Sequence, residues 1–149
     1  MMSRRPFGSA SRLYDAADDV WRGLTPDDWR AAFDHHPRLG ERTSAVTQDA
    51  RARGWSGGEQ TALHDADDEV RRALAESNAA YEARFGYICI ICASGRNALA
   101  LLAITRERLT NSPDVELAVA AEEQRKITRL RLAKLVQDLS HSASSTNRP

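Results

Sequence analysis

Apolar residues return every third or fourth position along nearly the whole chain, the period of a helix face rather than of a strand. Leu13, Ala17, Val20, Trp21 and Leu24 form one such stripe. A second helix opens at Thr25-Pro26-Asp27-Asp28, where Thr25 can cap, Pro26 suits the first helical position and the aspartates favour the positive helix end. Trp29, Ala32 and Phe33 make its apolar face, His36 is the next position in that series, and Pro37 disfavours helix at His36. A third stripe runs Leu63, Ala66, Val70, Leu74, Ser77, Tyr81, Phe85, and Gly86 stops it. Leu99, Leu102, Arg106 and Leu109 predict a fourth helix. Ser112-Pro113 predicts the start of a last one, with Leu117, Ala121, Gln124, Ile127, Leu130 and Leu135 on one face. Residues 38–55 read as loop with room for a short helix at 44–53. The run Tyr87 to Cys92 is apolar and β-branched, and too short to separate strand from buried helix. No strand has an obvious partner, so the fold class is all-α: a compact single-domain helical bundle over residues 1–140, with 141–149 a disordered tail.

The chain has 149 residues, a length that suits one domain with a real core. Its 21 basic and 21 acidic side chains give a formal net charge of zero, which argues against a general nucleic-acid binder but leaves room for a local anion pocket. No apolar run approaches the roughly 20 residues of a membrane span, so no membrane partner is expected. The opening MMSRRPFGSASR lacks an apolar signal core and the closing NRP is not a peroxisomal address, so the expected location is the cytoplasm.

Four places could carry chemistry. His36, in His35-His36-Pro37-Arg38, sits where the chain must leave a helix, and imidazole can give and take a proton near neutral pH. The plain alternative is a core histidine with a satisfied hydrogen bond. Ser56-Gly57-Gly58-Glu59, followed by Gln60, has capping-box spacing, and the helix end it predicts also offers free N–H groups to an anion. Cys89 and Cys92 are formally C-x-x-C. A redox pair of that type opens a helix after a strand in a βαβ unit, which this chain does not offer; a zinc site would need further ligands from His35, His36, His64 or His141, whose spacing is unconvincing; buried free thiols are the simplest reading. Lys126, Arg129 and Arg131 can be a solvated face, or one arginine can bind a carboxylate with both arms. On these residues alone, a metal-dependent helical hydrolase using His35, His36 and aspartates and a non-catalytic helical interaction module stay open beside a metal-free enzyme.

Taken together, four segments in order resemble the OHCU decarboxylases, OHCU being 2-oxo-4-hydroxy-4-carboxy-5-ureidoimidazoline. They are Arg5-Pro6-Phe7 with Trp29 to Glu41, Ser56 to Gln60, Arg84 to Arg96 (RFGY, an apolar run, ICASGR) and Lys126 to Leu132. Each is weak alone; the series across residues 6–135 is specific. The resemblance implies an all-α enzyme of uric acid degradation that turns OHCU into (S)-allantoin and carbon dioxide, without cofactor or metal, as a homodimer. It implies His36 as the catalytic acid/base, whose imidazole the carboxylate of Glu59 could orient. Pro37 would lie beside the substrate, and Ser56, Glu59 and Gln60 would contact it. Cys89, Ile90, Ile91, Cys92 and Ala93 would line the site largely through backbone groups, and Arg131 would bind an anionic group. Two departures are expected: the family's further N-terminal helical segment is not found ahead of Arg5, and Cys89 stands where relatives commonly carry an aromatic residue.

Overall fold

The computed structural model describes residues 7–38 and 68–145, with side chains to residue 141. These residues form five helices and no strand: α1 (Ala10–Arg22), α2 (Pro26–Phe33), α3 (Asp68–Phe85), α4 (Ala98–Arg108) and α5 (Pro113–Ser145). The all-α expectation therefore holds among the described residues. α5 runs on to Ser145, into the stretch read from sequence as tail. The chain divides into two compact units, one of residues 1–25 and 125–149, the other of residues 26–124.

In the first unit, Ser9 caps α1 by accepting from the Arg12 N–H at 3.3 Å. α1 buries Ala16, Ala17 and the carboxylate of Asp18. A buried carboxylate needs charged partners, and the middle of α5 supplies two: Arg125 Nη1 at 2.7 Å and Arg129 Nη1 at 2.8 Å. Arg129 also lies over the Tyr14 ring, 5.4 Å from its centroid.

In the second unit, α2 opens as its sequence dictates, with Pro26 first and Asp27 and Asp28 in the first turn, and it buries Phe33 completely. α3 buries Leu74, Ser77 and Tyr81, the predicted stripe. Gly86 ends α3 in the left-handed region (φ +78°), its N–H donating to the Glu82 carbonyl at 2.8 Å. Phe33, Tyr81, Phe85 and Tyr87 then meet as one aromatic cluster, with ring centroids 4.7–6.2 Å apart.

α4 differs from the sequence expectation. Its buried face is Ala98, Leu101, Leu102, Thr105 and Arg108, whereas Leu99 is 62% exposed. The apolar pattern misassigned the face because two of its buried members, Thr105 and Arg108, are polar. Arg108 follows Leu101 by seven residues and Thr105 by three, so it belongs to the buried stripe by spacing, though not by hydrophobicity. Leu130 on α5 is likewise 45% exposed, while Leu117, Ala121, Gln124 and Ile127 are buried as expected.

Candidate active site

Helix α2 stops at Phe33, three residues before His36. The His35 N–H donates to the Ala32 carbonyl at 3.3 Å and the His36 N–H to the Phe33 carbonyl at 3.0 Å, so His36 sits on the turn that leaves the helix rather than on the helix face. Pro37 accounts for the early exit, since its ring disfavours helical backbone at His36. His36 and Pro37 are both half-buried. Arg38 then grips α3: its Nε lies 3.0 Å from Glu82 Oε2 and its Nη2 2.7 Å from Glu82 Oε1, a two-armed pair that holds the Glu82 carboxyl below the usual carboxylate range. Behind it, Phe33 packs on Tyr87 at 5.3 Å between ring centroids. His36, three residues past Phe33, and Cys89, two past Tyr87, thus leave from one aromatic contact.

The segment from Ile88 to Ala93 is neither helix nor strand. A buried irregular segment must satisfy its backbone elsewhere. Side chains from α4 and α5 meet two of its groups. Arg108 Nη1 donates to the Ile90 carbonyl at 2.6 Å, and Glu123 Oε2 accepts from the Cys92 N–H at 2.7 Å. Arg108 is itself clamped by Glu116, its Nε and Nη2 lying 2.8 and 2.5 Å from Oε1. The Tyr81 hydroxyl donates to that same oxygen, and Asn111 Nδ2 donates to Oε2 at 2.7 Å. Burial, and then the bond to Glu116, push the Tyr81 phenol up, so it acts as a neutral donor. Every charge in this buried cluster has a hydrogen-bonded partner.

Cys89 and Cys92 are free thiols. Burial pushes the Cys89 thiol up to about 11, against the opposing pull of Arg108, and its Sγ lies 3.9 Å from Thr105 Oγ1. Such a thiol is inert at neutral pH, unlike the depressed thiols of redox and metal sites. Among the described residues, no group of three or more His, Cys, Asp or Glu side chains is placed to hold a metal ion.

The second unit therefore carries His36, Pro37 and the run Cys89, Ile90, Ile91, Cys92, Ala93. Arg131 lies on α5 in the first unit, half-buried, its Nε enclosed with no hydrogen-bond partner among the described residues. Ser56, Glu59 and Gln60 lie outside the described residues. Nothing in the apolar pattern points to Arg108, Glu116 or Glu123. The one available signal was an arginine at the i+7 position from Leu101, with a glutamate eight residues further along the chain.

The sequence model of the OHCU decarboxylases matches residues 1–133. The chain belongs to the OHCU decarboxylase family. Its relatives in that family include the "Uric acid degradation bifunctional protein TTL" of Arabidopsis thaliana, 38% identical over 147 residues, which cover 99% of this chain but 45% of that protein. The chain thus spans under half the length of the plant protein. They also include the 2-oxo-4-hydroxy-4-carboxy-5-ureidoimidazoline decarboxylase of Amia calva, 34% identical over 142 residues, covering 91% of this chain and 77% of that one. A crystal structure of OHCU decarboxylase in the presence of (S)-allantoin aligns with a TM-score of 0.73 at 38% identity, covering 85% of this chain and 81% of that chain. The family's fold accords with the helices described above.

Proposed function

We propose that this chain is a carboxy-lyase that decarboxylates OHCU to (S)-allantoin without a cofactor, with His36 as acid/base. The observation that carries the reading is the family match over residues 1–133, which includes the His36-Pro37 turn and the segment from Cys89 to Ala93. The substrate explains why the protein needs only to bind and move protons. Loss of carbon dioxide leaves an electron pair on the carbon that bore the carboxylate, and the adjacent ring C=N accepts it. The hydroxyl on that carbon becomes the allantoin carbonyl, and one proton reaches the ureido-bearing carbon from a single face. His36 assists departure of the hydroxyl proton and manages this delivery, help worth on the order of 10²–10⁴ in rate. Glu59 orients His36, Ser56 and Gln60 contact the substrate with Pro37, the backbone from Cys89 to Ala93 lines the site, and Arg131 binds an anionic group. The enclosed Nε of Arg131 supports that last assignment.

The protein acts as a homodimer in the cytoplasm in this reading, and residues 1–140 work as one catalytic domain. No described helix is long and apolar enough to cross a membrane. The test is to generate OHCU in situ from urate and follow the chirality of the allantoin by circular dichroism, with and without chelator. The wild type should give (S)-allantoin in both, and His36→Asn should leave only slow decay to racemic product. Residual stereospecific turnover in His36→Asn would remove His36 from the acid/base role, and loss of activity in chelator would sink the cofactor-free claim.

A further inference from the structure

The candidate substrate-lining segment has no secondary structure to hold it, yet two of its peptide planes are pinned by ionised side chains. The first pin is Arg108 on the Ile90 carbonyl at 2.6 Å; the second is Glu123 on the Cys92 N–H at 2.7 Å. A trans peptide points its N–H opposite to its C=O. Arg108 therefore directs the Ile91 N–H away from α4, and Glu123 directs the Ile91 carbonyl away from α5. The two pins fix where the backbone donor and acceptor of one residue point, and leave both to something other than the pins.

Both pins are stiffer than a neutral contact. Hydrogen bonds to ionised groups are shorter and about twice as strong as neutral ones. Arg108 cannot swing, because Glu116 Oε1 takes its Nε and Nη2, Tyr81 shares that oxygen, and Asn111 fixes the other one. Water has little access to replace a lost partner of Arg108 or Glu116, whose side chains are 7% and 0% exposed. A charged cluster of this kind is costly to bury, and an apolar group of similar size would often be as stable. What the apolar group could not do is orient a peptide plane.

We infer that Arg108, held by Glu116, and Glu123 are positioning residues, which aim the N–H and carbonyl of Ile91 at the bound substrate. A ureide offers the matching acceptor and donor. The inference rests on the proposed function, since it takes the segment from Cys89 to Ala93 as the substrate's wall. The roles divide cleanly: His36 handles protons, whereas these residues act through the backbone and touch no reacting atom.

The test compares Glu123→Ala, Glu123→Gln and Arg108→Lys with the wild type. It reads kcat and KM for OHCU generated from urate, and the Kd for (S)-allantoin by calorimetry, on samples whose folding is checked by circular dichroism and melting. In Glu123→Ala the Cys92 N–H loses its acceptor, and KM and Kd should rise together by about tenfold, the size of one misdirected hydrogen bond, with kcat changed less. Glu123→Gln keeps an acceptor oxygen and should recover most of that loss. Arg108→Lys offers one compact ammonium where a fork spanned Glu116 and the Ile90 carbonyl, and should raise KM in the same sense. If Arg108→Lys does not fold, the Glu123 pair decides alone. Folded variants with unchanged KM and Kd, or a loss of melting temperature without a change in either constant, would overturn the positioning role. A folded wild type that neither forms (S)-allantoin from OHCU nor binds it would instead overturn the function beneath it.

Discussion

Two arginine–carboxylate clusters, one in each unit, use the same chemistry at different depths. Arg108 and Glu116 are 7% and 0% exposed, and apart from the half-buried Asn111 the groups bonded to them are enclosed. Asp18 is 10% exposed, but its partners Arg125 and Arg129 are 18% and 43% exposed, so water reaches the cationic side. The deep cluster reaches backbone: Arg108 spends one arm on the Ile90 carbonyl. The shallow one ties side chain to side chain between α1 and the middle of α5. The difference separates two uses of a charge pair. A pair near water adds a modest attraction between elements; a pair removed from water is a weak stabiliser compared with an apolar replacement, and a strong constraint on whatever it touches.

Cutting the deep cluster should do the most damage. Glu116→Ala leaves the Arg108 guanidinium buried without its counter-charge and should cost about 3–5 kcal/mol in urea unfolding. A loss below about 1 kcal/mol would mean that water enters the cluster, and the contrast in depth would fail. Asp18→Asn keeps the shape of the shallow cluster and removes its charge; the expected cost is about 1.5–3 kcal/mol, the range for hydrogen bonds to charged groups, with the lower end favoured by the exposure of Arg129. A cost equal to that of Glu116→Ala would erase the distinction.

A pair more exposed than either cluster is Arg38–Glu82, with side chains 51% and 38% exposed. Arg38→Ala should cost under about 1 kcal/mol at neutral pH and less in high salt. Its pH dependence has a definite sign. Glu82 is held below its ordinary value of 4.5 in the folded protein, chiefly by the Arg38 hydrogen bond. The stability it contributes is therefore present above that ordinary value and is lost as the pH falls through the lowered one. Wild type and Arg38→Ala should converge in stability as that acid range is crossed, which parallel pH titrations of the urea midpoint would show. A difference that persisted unchanged at acid pH would take the pair out of the comparison.

Much of the fold is legible in the sequence because helices announce themselves by period. Pro26 with Asp27 and Asp28 marks the start of α2, Gly86 marks the end of α3, and Ser112-Pro113 marks the start of α5, each through backbone chemistry that works locally. The face of α4 was not legible. A hydrophobicity pattern treats Arg108 as a surface residue, whereas its bonds to Glu116, Tyr81 and the Ile90 carbonyl make it a core one. His36 was legible as the residue where a helix must end, though Pro37 ends α2 three residues sooner than the apolar series suggests. The run from Cys89 to Ala93 could be marked as buried by its composition, but its irregular backbone could not be read, because what holds it lies on α4 and α5. Its link to a substrate came from the family resemblance.

The deep cluster also has an order of assembly built into its sequence spacings. Arg108 and Glu116 are eight residues apart, Arg108 and the Ile90 carbonyl eighteen, and Tyr81 and Glu116 thirty-five. The entropic penalty of closing a loop rises with its length, so contacts near in sequence can form before distant ones reward their closure. On that ground the charge pair meets first, across the short connection between α4 and α5. The Ile90 peptide and the Tyr81 hydroxyl then dock onto a pair already made. The irregular segment from Ile88 to Ala93 is thus shaped late in folding, against a polar template set by its neighbours.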